Sequence, residues 1–341
     1  MTVNIAVMGA GCVGGWMGAR IAASGIPVTL IARDRFIQNV RDGGLHATSL
    51  AGSPVSVAAA SLSLGAAPEL VKNADFVLVC VKSRDTEAAA RALAPHLHQN
   101  AVVVSLQNGL ANVERLRAGL PDHTVLAGMV RFNIVWTDQT PGVHLMQATS
   151  GEVLLEQHPS ADPLELACRA AGIPSFQHPE MVRIQWAKLL LNLNNAINAL
   201  SGCSLRDELS NRAYRQVLAA AMSEAWTVFR AAGIEPAAFR RMQPALALRI
   251  LPLPDLLFRI LAAPMIRIDP TARSSMADDL ALGRTTEIDD INGTIVALGA
   301  RFGVPTPINA HLVALVRAAE ARGAGSPKLP PGALWPTPPA P

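Results

Sequence analysis

Three polar residues interrupt a leucine-rich stretch: Lys188, Asn192 and Asn195. If Val182 to Ala199 is one helix, as its pattern predicts, they project at about 0°, 40° and −20° around its axis. An ammonium and two amides on so narrow a face can hold a polar ligand, because such groups are costly to bury without partners. The same spacing also describes an exposed stripe on an amphipathic helix. Two more polar sites stand at helix starts. Ser275 with Asp278, and Thr286 with Asp289, fit the capping pattern S/T-x-x-D. The second puts Glu287 in a first helical turn, where the dipole favours a carboxylate. Capping alone would explain both.

A different chemistry is written near the start. An apolar run, Val3 to Met8, is too short for a helix and reads as a strand buried on both faces. The loop Gly9, Ala10, Gly11, Cys12, Val13 and Gly14 follows it at once, with its glycines in the spacing GxGxxG. The first permits a tight turn, the second lets backbone approach a pyrophosphate, and the third lets the next helix pack against the strand. The N–H groups and dipole at the helix start then hold the anion without a lysine. A helix from about Cys12 to Ser24 and a strand from Val28 to Ala32 complete a βαβ unit. At the end of that second strand an NAD site usually carries an acid, whereas a 2′-phosphate needs a cation. Arg33 stands there, with Arg35 close by, so the expected cofactor is NADP. Asp34 would serve a ribose if the strand ran one residue longer.

The elements that must position these groups follow in order. Phe76 to Val81 and Ala101 to Leu106 are strong buried strands. They end on Lys82 and Asn108, at the edge of a doubly wound sheet where ligands bind. Lys82 can reach a cofactor or substrate there, or be a solvated strand end. Asn108 can position the nicotinamide ribose or the substrate, or simply make an Asn-Gly turn. Weaker strand signals surround Leu45 to Thr48 and Val55 to Ala58, and Val125 to Asn133, Val143 to Ala148 and Glu152 to Glu156 read as further strands. After about Gly172 the pattern turns almost wholly helical.

With 341 residues, two domains are the default. The sequence predicts an α/β architecture: an N-terminal Rossmann-type doubly wound sheet over residues 1–176, then an all-α domain over 177–325. Residues 326–341 are proline-rich and read as an extended, flexible tail. Net charge is only +3 and aromatics are 4%, a poor footprint for nucleic acid. Cys12, Cys80, Cys168 and Cys203 form no CxxC pair, so neither a disulfide framework nor a metal site is expected, and a reducing cytoplasm fits. The apolar stretch Leu246 to Ile268 is broken by charges and prolines, so it is no membrane span. It reads as irregular helices in a buried or subunit-contact region.

Taken together, GAGCVGG at Gly9, VKSRDT at Val81, SLQNG at Ser105, WAKLLLN at Trp186, RSSMADDL at Arg273 and TEIDDING at Thr286 resemble the ketopantoate reductases. The resemblance runs from Asn4 to about Val316. It implies a dinucleotide-binding domain, an all-helical substrate domain, and an active site in the cleft between them. By position, Arg33 would meet the 2′-phosphate, and Lys82 and Asn108 would line the cofactor and substrate cleft. Lys188 matches the family's catalytic lysine; Asn192, Ser275 and Glu287 match substrate-contacting positions, with Glu287 orienting the lysine or the substrate.

Two departures stand out. Ala196 occupies the place of the family's second asparagine, leaving Asn195 or Asn198 to supply that amide, and Arg206 replaces another asparagine before Glu208. The implied activity is NADPH-dependent reduction of 2-dehydropantoate to pantoate, with a small 2-oxo acid as partner and neither nucleic acid nor membrane. A homodimer stays open beside a monomer. The rivals are a reductase of another 2-oxo or hydroxy acid and a non-catalytic NADPH-binding regulator.

Overall fold

The computed structural model describes residues 3–50, 52–137, 139–238, 244–262 and 272–336. The chain divides into two compact units, Met1–Val182 and Arg183–Pro341.

The first unit contains twelve strands: β1 (Ile5–Met8), β2 (Val28–Ile31), β3 (Leu45–Ser49), β4 (Gly52–Val57), β5 (Ser63–Gly65), β6 (Phe76–Val79), β7 (Val102–Ser105), β8 (Thr124–Val130), β9 (Ile134–Thr137), β10 (Val143–Gln147), β11 (Val153–Glu156) and β12 (Ser175–His178). Its helices are α1 (Cys12–Ala23), α2 (Asp34–Gly43), α3 (Thr86–Leu93), α4 (Ala111–Gly119) and α5 (Asp162–Ala170). Eight strands form one sheet in the order β12-β11-β8-β7-β6-β1-β2-β5. From β5 across to β8 all neighbours are parallel; β11 then runs antiparallel to β8, and β12 parallel to β11. This is the expected doubly wound sheet. The chain steps outward from β1 through β2 to β5, then returns to β6 on the other side of β1, so the order reverses between β1 and β6. Such a switch point opens a crevice at the carboxyl ends of the strands.

The remaining strands make a second sheet, β4-β3-β10-β9. It explains why α1 is apolar nearly all round. A Cβ on Gly18 would strike Leu30 of the large sheet, and one on Gly15 would strike Leu145 and Phe36 on the other side. Trp16, Met17 and Ile21 are therefore fully enclosed, each adding roughly 1.5–3 kcal/mol before entropy is subtracted. Trp16 also donates its Nε1–H to the Thr48 carbonyl at 2.8 Å.

The expected switch to helix after Gly172 comes later. Ser175–His178 joins the large sheet as β12, paired with β11, which moves the unit boundary past 176 to Val182. Four residues carry too little alternation to announce a strand; pairing with β11 makes it one.

The second unit is built on α6 (Met181–Asn192), α7 (Asn194–Ser201), α8 (Leu205–Ser210), α9 (Arg212–Ala232), α10 (Pro244–Ile250), α11 (Asp255–Leu261), α12 (Ser275–Ala281), α13 (Asn292–Phe302) and α14 (Pro307–Arg322). The single helix expected over 182–199 is two, broken at Leu193. The central helix is α9, which buries Val217, Ala221, Val228 and Phe229 completely. Its Glu224 carboxylate accepts from the N–H groups of Ile308 (2.7 Å) and Asn309 (3.0 Å), capping α14 from another helix. The apolar stretch from Leu246 forms α10 and α11, with Ala247, Leu251 and Phe258 inward and Leu256, Ile260 and Leu261 exposed; its residues 263–268 lie outside the described residues. No described helix is long and apolar enough to cross a membrane.

The tail expected to be flexible is instead docked over 326–336. Ser326 donates to the Ala199 carbonyl (2.7 Å), the Leu329 N–H to the Leu200 carbonyl (2.8 Å), and Tyr214 to the Leu329 carbonyl (2.9 Å). Leu334 is completely buried. Prolines remove N–H donors and fix φ, but one leucine and three hydrogen bonds suffice to anchor so short a segment.

Candidate active site: a phosphate loop and a lysine helix

In the first unit, two of the three loop glycines have steric reasons. Gly9 has φ +92°, and a Cβ there would lie 2.6 Å from Val81 Cγ1 and 2.8 Å from the Val81 nitrogen. A Cβ on Gly14 would meet Val7 Cγ1 at 2.6 Å and the Gly9 carbonyl at 3.0 Å. At Gly11 a Cβ would meet nothing within 4 Å. Gly9 and Gly14 are thus demanded by the fold, whereas Gly11 is exposed and opens onto free space. The backbone N–H groups of Gly9 and Ala10 both donate to Ile31 O at 3.0 Å, pinning the loop to β2. Cys12 and Val13 start α1, and no side chain caps that helix. An uncapped helix start facing an open glycine is suited to an anionic phosphate, so the residues present fit a dinucleotide.

At the end of β2, the strand stops at Ile31 rather than running longer, and Asp34 becomes the first residue of α2. Arg33 immediately precedes that helix, and both Arg33 and Arg35 are exposed.

Lys82 and Asn108, both half-buried, sit on loops locked together by a buried polar network. Gln107 donates to the Val81 carbonyl (3.0 Å) and to Thr86 Oγ1 (2.7 Å). Thr86 in turn donates to Asn112 Oδ1 (3.0 Å), and Asn112 Nδ2 donates to Ser83 Oγ (2.9 Å) and to the Asn108 carbonyl. Ser83 Oγ also donates to the Asn108 carbonyl at 3.0 Å. Fully satisfied networks of this kind rigidify what they hold. Sequence reasoning passed over Ser83, Thr86 and Asn112. Ser83, Thr86 and Gln107 stand in the motifs VKSRDT and SLQNG, but nothing local shows that the two motifs bond to each other.

In the second unit, Lys188 and Asn192 are half-buried on α6, and Asn195 is half-buried on α7 beyond the break. Asn198 has no exposure at all. Its Nδ2 donates to Glu208 Oε2 (2.8 Å) and the Cys203 carbonyl (3.1 Å), and its Oδ1 accepts the Ser274 N–H (2.9 Å). Every polar atom of that amide has a protein partner, so Asn198 braces the site and leaves Asn195 as the accessible amide of the pair. Ala196, where the family's second asparagine would stand, is wholly enclosed, and Arg206 is exposed.

The capping expectations shift by one residue. Ser274, buried, caps α12 by accepting the Ala277 N–H at 3.1 Å, and it also donates to the Asn195 carbonyl at 3.3 Å. Ser275 becomes the exposed first residue of the helix. Thr286 accepts the Ile288 N–H (3.2 Å) in a turn, and α13 begins only at Asn292. Glu287 is therefore a buried turn residue, not a first-turn helix residue. Glu208, a group the sequence did not single out, is 1% exposed. Burial pushes its carboxyl up to about 8, against hydrogen bonds from Asn198 and Asn194 that pull it down.

Comparison with known proteins bears on both units. The family model described as ketopantoate reductase PanE/ApbA matches residues 5–160, and its C-terminal companion matches residues 180–320. The 2-dehydropantoate 2-reductase of Halobacterium salinarum is 29% identical over 331 residues, covering 94% of this chain and 100% of that one. Among solved structures, a PanE/ApbA family ketopantoate reductase from Ralstonia eutropha superimposes with a TM-score of 0.79 at 34% identity, over 94% of this chain and 99% of the other. A D-mandelate dehydrogenase with NADH and anilino(oxo)acetate shares the fold, with a TM-score of 0.75 at 22% identity over 94% and 99%. With both family models matched in order, and an open phosphate loop in one unit and a lysine–asparagine helix in the other, the chain belongs to the ketopantoate reductase family of oxidoreductases.

Proposed function

We propose that the protein reduces 2-dehydropantoate to pantoate with NADPH. The observation that carries this reading is the pairing of Lys188 and Asn192, half-buried one turn apart on α6, in a chain whose other unit presents an open glycine at an uncapped helix start. Gly9 to Gly14 would hold the pyrophosphate and Arg33 the 2′-phosphate, while Lys82 and Asn108 line the nicotinamide end. The chemistry supplied by the bound cofactor is hydride delivery to the C2 ketone.

The chain's own groups do the rest. As C2 is reduced, negative charge develops on the ketone oxygen, which the Lys188 ammonium stabilises and then protonates as general acid. Ser275, at the start of α12, receives the substrate carboxylate, where helix N–H groups favour an anion. Asn192 and Asn195 orient the substrate through their amides, and Glu287 orients the lysine. The enclosed Ala196 favours a second reading, a different 2-oxo acid, because an amide expected at the far end of the substrate is absent there.

Following NADPH absorbance with purified protein against 2-dehydropantoate, pyruvate and 2-oxoisovalerate tests the assignment. Comparable rates on all three, or preference for another acid, remove pantoate. Arg33→Asp tests the cofactor: losing a charge-assisted phosphate pair should weaken NADPH about ten- to a hundred-fold and leave NADH nearly unchanged. An unaltered NADPH-to-NADH ratio would assign the phosphate to Arg35.

A further inference from the structure

Glu208 is a buried acid that the proposed chemistry leaves unused, yet its hydrogen bonds lead toward the residues assigned to the substrate. Its Oε2 accepts from Asn198 Nδ2 at 2.8 Å. On the other side of that amide, Asn198 Oδ1 accepts the Ser274 N–H at 2.9 Å. Ser274 in turn donates to the Asn195 carbonyl and accepts the Ala277 N–H. One carboxyl and one amide therefore set how the start of α12, with Ser275 on it, lies against α7, with Asn195 on it. The Leu205 N–H, opening α8, ties the same segments together by donating to the Ala272 carbonyl at 2.9 Å. Asn198 has no exposure and Glu208 almost none, so both act on a substrate only through what they hold.

Packing alone would be served as well by an apolar side chain, because a buried carboxyl is costly to desolvate. Among the described residues no cation offsets this one. α7 faces it with the amides of Asn194 and Asn198. α9 faces it with the Tyr214 phenol, which burial and then the neighbouring Cys203 and Glu208 push up, and which donates to the Leu329 carbonyl. Arg206 and Asp207, on α8 itself, are exposed. We propose that Glu208 is a positioning residue for the substrate: through Asn198 and Ser274 it fixes Ser275 and Asn195 in the arrangement that receives a 2-oxo carboxylate. The inference rests on Ser275 and Asn195 contacting that substrate. Burial keeps the Glu208 proton on up to about pH 8, so below that pH the brace adds no negative charge behind an anion site. Above it, a like charge in a poorly screened interior opposes the carboxylate.

Steady-state kinetics with NADPH and the preferred 2-oxo acid test this in wild type, Glu208→Leu and Glu208→Gln. The substrate carboxylate is unchanged as hydride moves, so its misplacement acts on KM. Glu208→Leu, which cannot accept from Asn198, should raise the KM of the acid about tenfold or more at neutral pH, with kcat and the NADPH KM within about threefold. Glu208→Gln, which keeps the acceptor, should bring that KM back to within about threefold of wild type. The pH profile separates positioning from packing: above about pH 8 the wild-type KM should climb relative to that of Glu208→Gln, by about threefold or more near pH 9.5. Lys188 and the Arg273–Asp278 pair at the start of α12 (3.9 Å) are the same in both proteins, so their titration leaves this ratio unchanged. An unchanged KM in Glu208→Leu, no rescue by Glu208→Gln, or a constant ratio across the pH range overturns the inference. Should Glu208→Leu fail to fold, the wild-type and Glu208→Gln profiles decide. Should wild type reduce no 2-oxo acid, the reductase reading fails separately, and hydrogen exchange tests the brace itself. The Ser274 and Ala277 amides should then exchange about tenfold faster in Glu208→Leu than in Glu208→Gln; equal exchange overturns it.

Discussion

Lys188 is the residue on which the proposed chemistry turns. If its ammonium meets negative charge mainly in the transition state, Lys188→Ala should cut kcat by roughly 10²- to 10⁴-fold with NADPH affinity almost unmoved. Steady-state kinetics would check this, and more than about a tenth of kcat retained would pass the proton to Lys82. Asn192→Ala should act mostly through KM, since a contact to a static part of the substrate changes little as hydride moves. Glu208 makes a prediction of another kind. Its carboxyl is raised from 4.5 to about 8 by burial, so the folded protein holds a proton that the unfolded chain releases. The stability this group supports is complete below about pH 4.5, and falls by up to about 1.4 kcal/mol per pH unit until about pH 8. Glu208→Gln keeps an acceptor for Asn198 without the charge. Its Tm should exceed wild type above pH 8, with a shallower decline between pH 5 and 8; superimposable pH profiles would remove the buried proton.

The elements show where sequence reading succeeds and where it stops. The strand, loop, helix and strand from Val3 to Arg33 were legible because the glycine spacing and the apolar runs around it are contiguous in sequence, although the neighbour that excludes a side chain at Gly9 is the distant Val81. The break at Leu193 was not, because the leucine and asparagine pattern runs through it without a proline or glycine. Nor was the cap of α12. Ser274 and Ser275 are interchangeable on paper, and the choice falls to Ser274 because its N–H finds Asn198, 76 residues away. The capping of α14 is equally remote: Glu224 stands in the middle of α9 and satisfies two N–H groups of a helix that starts more than eighty residues later. It also accepts from Asn309 Nδ2 at 2.7 Å. Glu224→Ala should therefore cost about 2–3 kcal/mol, the scale of a lost charged cap, where an ordinary surface substitution costs under about 0.5. Denaturant unfolding would show it as a lower midpoint at constant slope.

At the scale of the whole molecule, the doubly wound sheet and the helical unit were both expected, while the boundary and the tail came out differently for reasons of long-range pairing. β12 exists because β11 is beside it, and residues 326–336 are held because α7 offers its Ala199 and Leu200 carbonyls to Ser326 and Leu329 while α9 and α14 pack against the turn that carries the buried Leu334. Deleting residues 326–341 should therefore lower Tm by several degrees and expose the helical unit to protease, whereas a flexible tail would be lost without effect. The anchoring has a temporal side as well. Ser326 and its partner Ala199 are 127 positions apart, and a ribosome adding about 5–20 residues per second needs roughly 6–25 s to span them. During that interval the nucleotide-binding unit has all its strands and can fold, while α7, with Asn195 and Asn198 on it, waits for its last partners. Nascent chains stalled after residue 310 should then resist protease through Val182 and be cut beyond it, making the lysine-bearing unit the late arrival in the birth of the enzyme.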